Sequence, residues 1–172
     1  MVVPPYKKFK IFKQHQTVLD LGASPGSWSQ YASQKVGAKG RILGVDLSPV
    51  TVKLPNAVFI QADLRDLNLE DISKQHGFEP PFDLVMSDMA PKTTGIRMTD
   101  QARSLELCEL ALDVARKFLK KDGHFICKLF HSDDFGKLRD EIKKSFVKFE
   151  AVRPESTRKI SKEIFLIGLS KK

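Results

Sequence analysis

The sequence predicts a doubly wound, Rossmann-like α/β sandwich, and three observations carry that reading. Short apolar runs alternate with helical stretches, the runs lack the polar alternation of half-exposed strands, and the first leads through a glycine turn into a helix. A mostly parallel sheet with helices on both faces accounts for all three.

Taken in order, residues 17–22 (TVLDLG), 42–47 (ILGVDL), 57–63 (AVFIQAD) and 82–88 (FDLVMSD) read as buried strands, each with an acid at or near its carboxyl end. Residues 123–130 (GHFICKLF), 148–153 and 164–170 (IFLIGLS) bring the strands to seven. Helices are predicted over 27–37, 66–76, 100–120 and 133–147. The third shows a broad apolar face of Leu105, Leu107, Leu110, Ala111, Leu112, Val114, Ala115, Phe118 and Leu119. Lys120-Lys121-Asp122-Gly123 reads as its end, with cations at the negative pole and a glycine after. Asp133 is placed to cap the fourth. Residues 154–163 have no helical period, and so short a link suits an antiparallel pair better than a right-handed crossover. The expected sheet is therefore seven-stranded and mostly parallel, with the last strand antiparallel. At 172 residues, without repeats, low-complexity tracts or linkers, residues 1–172 are expected to form one domain.

The charge is unevenly placed. Lys and Arg number 29 against 21 Asp and Glu, a net +8. Residues 1–13 contribute +4 through Lys7, Lys8, Lys10 and Lys13, residues 148–172 contribute another +4, and the neutral middle holds 18 of each sign. Cationic ends on a neutral body favour a polyanion, nucleic acid before anionic membrane, although solubility alone also accounts for the excess. No apolar run approaches the roughly 18–20 residues that span a bilayer, and the first residues lack a signal-peptide core. Cys108 and Cys127 are too few for a disulfide framework and lack metal-ligand spacing. Both are expected as buried reduced thiols in a cytoplasmic protein.

The glycine turn discriminates among ligands. VLDLGASPGSWSQ has G-x-x-x-G spacing around Pro25, not the G-x-G-x-x-G of a dinucleotide turn, and Gly26 is not followed by the Lys of a P-loop. Asp46, 24 residues after Gly22 at the end of the second strand, is placed to accept from ribose hydroxyls. Asp63, at the end of the third, is placed to receive an adenine amine. An adenosyl ligand with no phosphate to hold fits, and S-adenosylmethionine is such a ligand. Strand capping is the plain alternative for any single acid.

A second constellation closes the next strands. Lys128, flanked by FIC and LF, is a lysine inside a buried strand, costly unless paired or shifted in pKa. On the antiparallel reading Glu163 opens the seventh strand where the fifth ends, so Asp88, Lys128 and Glu163 should meet beside the glycine turn. Desolvation is expected to lower the Lys128 pKa towards the range of a base. A structural buried ion pair is the rival reading.

Together VLDLGASPGSWSQ, SDMAPKTTG, FICKLF and RPESTRKISKEIFLI resemble the FtsJ/RrmJ (RlmE) family of S-adenosylmethionine-dependent RNA ribose 2′-O-methyltransferases, across residues 11–170 almost without gaps. The resemblance implies a methyltransferase fold, with cofactor binding by Gly22, Gly26, Trp28, Asp46, Asp63 and Asp88, and catalysis by Lys128, Asp88 and Glu163. It is strongest to the bacterial and mitochondrial branch, which modifies a uridine in the peptidyl-transferase region of large-subunit ribosomal RNA. The family carries a fourth catalytic residue, a lysine in an N-terminal helix. Counting back without gaps places that position at Met1, so the helix is expected to be absent or shortened, and Lys7 or Lys8 substitutes only with a deletion.

The expected reaction is direct methyl displacement by a ribose 2′-hydroxyl, with Lys128 as base, S-adenosylhomocysteine as product and no metal. Ribosomal RNA or the large subunit is the expected partner, held by Arg153, Arg158, Lys159, Lys162, Lys7 and Lys8; no membrane is expected, and the chain is expected to be a monomer. Trp28 is read as packing near the cofactor loop, with base stacking as the alternative. Two rival functions remain: a methyltransferase for small molecules or protein, and an RNA-binding protein that keeps the cofactor fold with little catalysis.

Overall fold

Side chains that alternate along the apolar strands divide between two cores, one on each face of a sheet. The computed structural model describes residues 9–130, 135–153 and 163–172. Strands β1 (Thr17–Leu21), β2 (Arg41–Asp46), β3 (Ala57–Gln61), β4 (Phe82–Ser87), β5 (Leu119–Phe130), β6 (Phe146–Val152) and β7 (Glu163–Lys171) form one seven-stranded sheet, ordered β3-β2-β1-β4-β5-β7-β6. The pairs among β1 to β5 are parallel, and β7 runs antiparallel to both its neighbours, β5 and β6. The four helices among the described residues are α1 (Ser27–Val36), α2 (Leu69–Gln75), α3 (Arg97–Phe118) and α4 (Gly136–Ser145).

On one face Val18, Leu84, Met86, Ile126, Phe165 and Ile167 pack with Ile11 and with Trp28, Ala32 and Val36 of α1. On the other, Leu19, Leu21, Val85, Phe125, Cys127 and Leu166 pack under Leu69 of α2, Cys108, Ala111, Leu112 and Ala115 of α3, and Leu138 and Ile142 of α4. The chain winds outward from β1 to β3 and returns beside β1 at β4. The strand order thus reverses between β1 and β4, and crevices at such points hold ligands.

Element ends differ from the sequence expectation where side chains recruit the backbone. The helix expected over 66–76 starts at Leu69, because Asn68 accepts from the Asp71 N–H at 3.2 Å and caps it. The expected third strand stops at Gln61, leaving Asp63 in the turn beyond. The Lys120–Gly123 stretch is not a helix end. Helix α3 stops at Phe118, Leu119 pairs with Phe82, and Lys120 to Gly123 bulge before pairing resumes at Leu84 with His124. Lys120 forms an ion pair with Asp83, which ties the bulge to β4. Strand β6 likewise begins early, Phe146 pairing with Lys171 where α4 had been expected to continue. Asp133 and the link at 154–162 lie outside the described residues.

Candidate active site

The glycine turn is shaped by two residues in the left-handed region. Gly22, at φ 76°, follows β1 and donates its N–H to the Val45 carbonyl at 2.8 Å. A Cβ on Gly22 would lie 2.6 Å from the Met89 nitrogen, so only glycine lets the turn close on the backbone after β4. Gly26, at φ 116°, starts α1, and a Cβ there would run into the Val52 side chain. Between them the Ser24 N–H donates to Asp46 Oδ2 at 2.9 Å, and the Ser48 N–H donates to Asp46 Oδ1 at 2.7 Å. Two backbone donors therefore fix the Asp46 carboxylate at the end of β2.

A cavity of about 540 Å³ opens over this turn. Gly22, Ser24, Asp46, Asp63 and Asp88 line it, with Leu47, Leu64 and Met89 as apolar wall. Asp63 is held in its turn by the Arg65 N–H at 2.9 Å. Gly26 and Trp28 are not among the lining residues. The Trp28 ring is 6% exposed and packs against Phe165 with centroids 5.9 Å apart, so its side chain belongs to the core.

Four strands were expected to bring an acid to one edge; three acids reach the cavity and Asp20 does not. Asp20 is fully buried beneath the turn, accepting from Ser29 Oγ at 2.5 Å, while its Oδ1 meets no donor among the described residues. Burial pushes its carboxyl up to about 8; the Ser29 hydrogen bond opposes that rise, and the charges of Asp88 and Asp46 add to it. The folded chain thus holds a proton that the unfolded chain releases above 3.8, and stability falls as pH rises from there towards about 8. Denaturant unfolding should show a slope of up to about 1.4 kcal/mol per pH unit across that window. Asp20→Asn, which cannot ionise, is expected to flatten it.

Beside the cavity, Lys128 Nζ lies 2.6 Å from Asp88 Oδ1 and 3.6 Å from Glu163 Oε1. Asp88 follows β4, Lys128 points from β5, and Glu163 opens the reversed β7 opposite Phe130. The lysine's pKa shifts upward, opposite to the lowering expected from burial alone. Burial works against the ammonium, but Asp88 and Glu163 outweigh it and hold the Lys128 pKa above its ordinary value. Burial raises the Asp88 carboxyl, with Lys128 pulling the other way. Lys128 therefore rests as an ammonium.

Arg153 follows Val152, which pairs with Phe165, the residue that also pairs with Lys128, so Arg153 stands at the active edge. Lys7, Lys8, Arg158, Lys159 and Lys162 lie outside the described residues. The sequence reading missed the far wall of the cavity, built by Arg103, Glu106, Leu107 and Leu110 of α3. Their spacing of i, i+3, i+4 and i+7 marks one helix face and was the available signal. Among the described residues no group of three or more His, Cys, Asp or Glu could hold a metal ion, and no helix is long and apolar enough to cross a membrane. Cys108 and Cys127 are free and buried, and Cys108 Sγ lies 3.2 Å from the Lys128 carbonyl oxygen.

A family model described as FtsJ-like methyltransferase matches residues 6–171. The chain belongs to the FtsJ-like methyltransferase family. This FtsJ-like methyltransferase is 85% identical over 166 residues to "Ribosomal RNA large subunit methyltransferase E" of Bdellovibrio bacteriovorus, a match covering 96% of this chain and 85% of the relative. A protein of the same name from Desulfatibacillum aliphaticivorans is 47% identical over 167 residues, covering 96% of this chain and 79% of the relative. Among solved structures, a putative ribosomal RNA methyltransferase from Plasmodium falciparum superposes with a TM-score of 0.81 at 24% identity, over 96% of this chain and 92% of that one. Aeropyrum pernix fibrillarin with bound S-adenosyl-L-methionine gives 0.62 at 17% identity, over 91% and 67%. These two likenesses establish that the FtsJ-like methyltransferase shares their fold.

Proposed function

We propose that the protein transfers a methyl group from S-adenosylmethionine to a ribose 2′-hydroxyl of large-subunit ribosomal RNA, at a uridine. The observation that carries this reading is the Asp88–Lys128–Glu163 cluster at the rim of a cavity suited to an adenosyl ligand. The name and 85% identity of the Bdellovibrio relative support the RNA class. The reading assigns the work to a cytoplasmic protein acting as a monomer; the three charged groups of the cluster all come from one chain, which supports the second part.

The cavity fits the cofactor chemically. Its volume of about 540 Å³ lies within the range of small-molecule sites. Asp46, fixed by two backbone donors, keeps lone pairs for a ribose diol, and Asp63 lies beside an apolar wall for the base. Gly22 and Gly26 shape the turn that closes this end of the cavity, and Trp28, in the first turn of α1, is assigned to holding that turn in place from the core side. When bound, S-adenosylmethionine supplies an electrophilic methyl group on a cationic sulfonium, which suits a lining with Asp46, Asp63 and Asp88. Asp46→Ala is expected to weaken cofactor binding roughly 10- to 100-fold in calorimetric titration, through loss of charge-strengthened hydrogen bonds.

Lys128 orients the 2′-hydroxyl and accepts its proton at Nζ, and Asp88 and Glu163 stabilise the ammonium that results. Because these acids also favour the ammonium at rest, the reactive amine is a minor form at neutral pH, and turnover should climb as pH rises. Arg153, Arg158, Lys159, Lys162, Lys7 and Lys8 are assigned to RNA phosphates. The test is transfer of labelled methyl to large ribosomal subunits or protein-free ribosomal RNA, followed by mapping of alkali-resistant linkages. Label on a ribose is expected; label on a base, on protein or nowhere would sink the proposal.

A further inference from the structure

A segment that leaves the cavity rim and returns to it carries no role so far. The chain lines the cavity from Asp88 to Lys92, departs, and lines it again at Arg103. Both ends are pinned to the lysine strand. Asp88 pairs with Lys128, and Ser104 Oγ accepts the Phe130 N–H at 3.0 Å, two residues beyond that lysine. The excursion between them therefore begins and ends beside the reacting groups.

It is an ordered projection. One carboxylate, Asp100, accepts from the Thr94 N–H at 2.7 Å, the Thr94 hydroxyl at 2.8 Å and the Gly95 N–H at 3.2 Å. The loop so held presents Ile96 and Met98 to solvent at 63% and 81% exposure. Two large apolar side chains held outward beside a site, with cations around them, mark a contact surface. Its charge selects the partner. Residues 91–103 contain Lys92, Arg97 and Arg103, which form no ion pair among the described residues, and a single acid, Asp100, whose carboxylate is turned inward to the loop.

We propose that this projection is a docking surface for the RNA strand flanking the target nucleotide. Ile96 and Met98 cover the face of an unstacked base next to the reacting ribose, while Lys92 and Arg97 hold adjoining phosphates. Single-stranded RNA offers this pairing of apolar base face and anionic backbone at one-nucleotide spacing. The proposal rests on the ribose-methylating reading above and adds which part of the chain selects the flanking nucleotide.

The test uses the full chain with large ribosomal subunits or protein-free ribosomal RNA, whichever the unsubstituted chain methylates on a ribose. Ile96→Ser combined with Met98→Ser is expected to raise the RNA KM about tenfold, as loss of one base contact would. Cofactor affinity and the thermal midpoint should stay unchanged, because both side chains are exposed. In a second measurement a photoreactive benzoylphenylalanine at position 98 is irradiated with the substrate bound. A crosslink to the nucleotide adjoining the methylated ribose is expected. A KM within about twofold of the original, or a crosslink to a ribosomal protein or to distant RNA, would overturn the proposal. Failure of the functional reading is distinguishable, since it appears as absence of ribose label before any substitution, and that outcome overturns this proposal with it.

Discussion

Lys128→Ala is expected to reduce methyl transfer by at least about a thousandfold, combining loss of a general base with loss of orientation of the hydroxyl. Cofactor affinity should change little, because Lys128 is not among the residues that line the cavity. Its effect is separable from folding by Lys128→Met, which keeps the buried stem and removes the charge. Lys128→Arg separates the two chemical roles: a guanidinium preserves pairing with Asp88 and Glu163 yet stays protonated. If Nζ accepts the proton, the Arg variant is as inactive as the Ala variant; if the cation only orients, it retains substantial activity. The pH profile gives an independent reading. The two carboxylates hold the lysine above its ordinary pKa, so the rate should rise about tenfold per pH unit across the neutral range. A flat profile, with chemistry rate-limiting, would remove Lys128 from the role of base.

Gly22→Ala should cost the most for the smallest change. The backbone sits at φ 76°, and the added methyl would meet the Met89 nitrogen at 2.6 Å and its Cα at 2.8 Å. Neither neighbour is the flexible end of a side chain, so the β4 loop itself must move. Together the conformational and steric terms are worth about 2–4 kcal/mol. The displaced Met89 adjoins Asp88, so a loss of cofactor affinity and a loss of turnover should accompany the loss of stability. Gly95→Ala is the control: it also has a positive φ, 82°, but nothing within 4 Å of the added carbon. There only the backbone term remains, about 1 kcal/mol. Denaturation midpoints and calorimetric titration of the two variants would reveal the difference, and equal losses would discard the steric account.

Much of the fold was legible because buried strands advertise themselves. Uninterrupted apolar runs located the parallel strands, and the short link before residue 164 indicated the reversal of β7. Where β5 begins was not legible, since Leu119 fits an apolar helix face as well as it fits a pairing with Phe82. The meeting of Asp88, Lys128 and Glu163 followed from topology alone, but the sign of the lysine's shift did not. It depends on gaps of 2.6 and 3.6 Å weighed against burial, quantities that spacing does not contain. Asp20 carried the same signal as Lys128, a charged residue in a buried strand, yet was read as an acid at the open edge. Only the register of β1 beneath the turn, with Ser29 alongside, explains why it remains inside. The α3 wall lay hidden because the same helix also shows a strong apolar stripe facing the sheet.

The reversed strand has a consequence for how the molecule is made. Strand β7 lies between β5 and β6 although it is synthesised after both. While the ribosome extends the chain past residue 130, β5 has a partner on the β4 side only, and the backbone groups of its other edge, from Phe125 to Phe130, await residues 163–168. Strand β6 cannot join the sheet in the meantime, for its own hydrogen-bonding partner is β7. A nascent chain stopped anywhere in that interval would present an unpaired strand edge, the kind of surface on which chains associate with one another. The insertion that seals this edge also delivers Glu163, so protection against self-association and completion of the charged cluster occur in a single event.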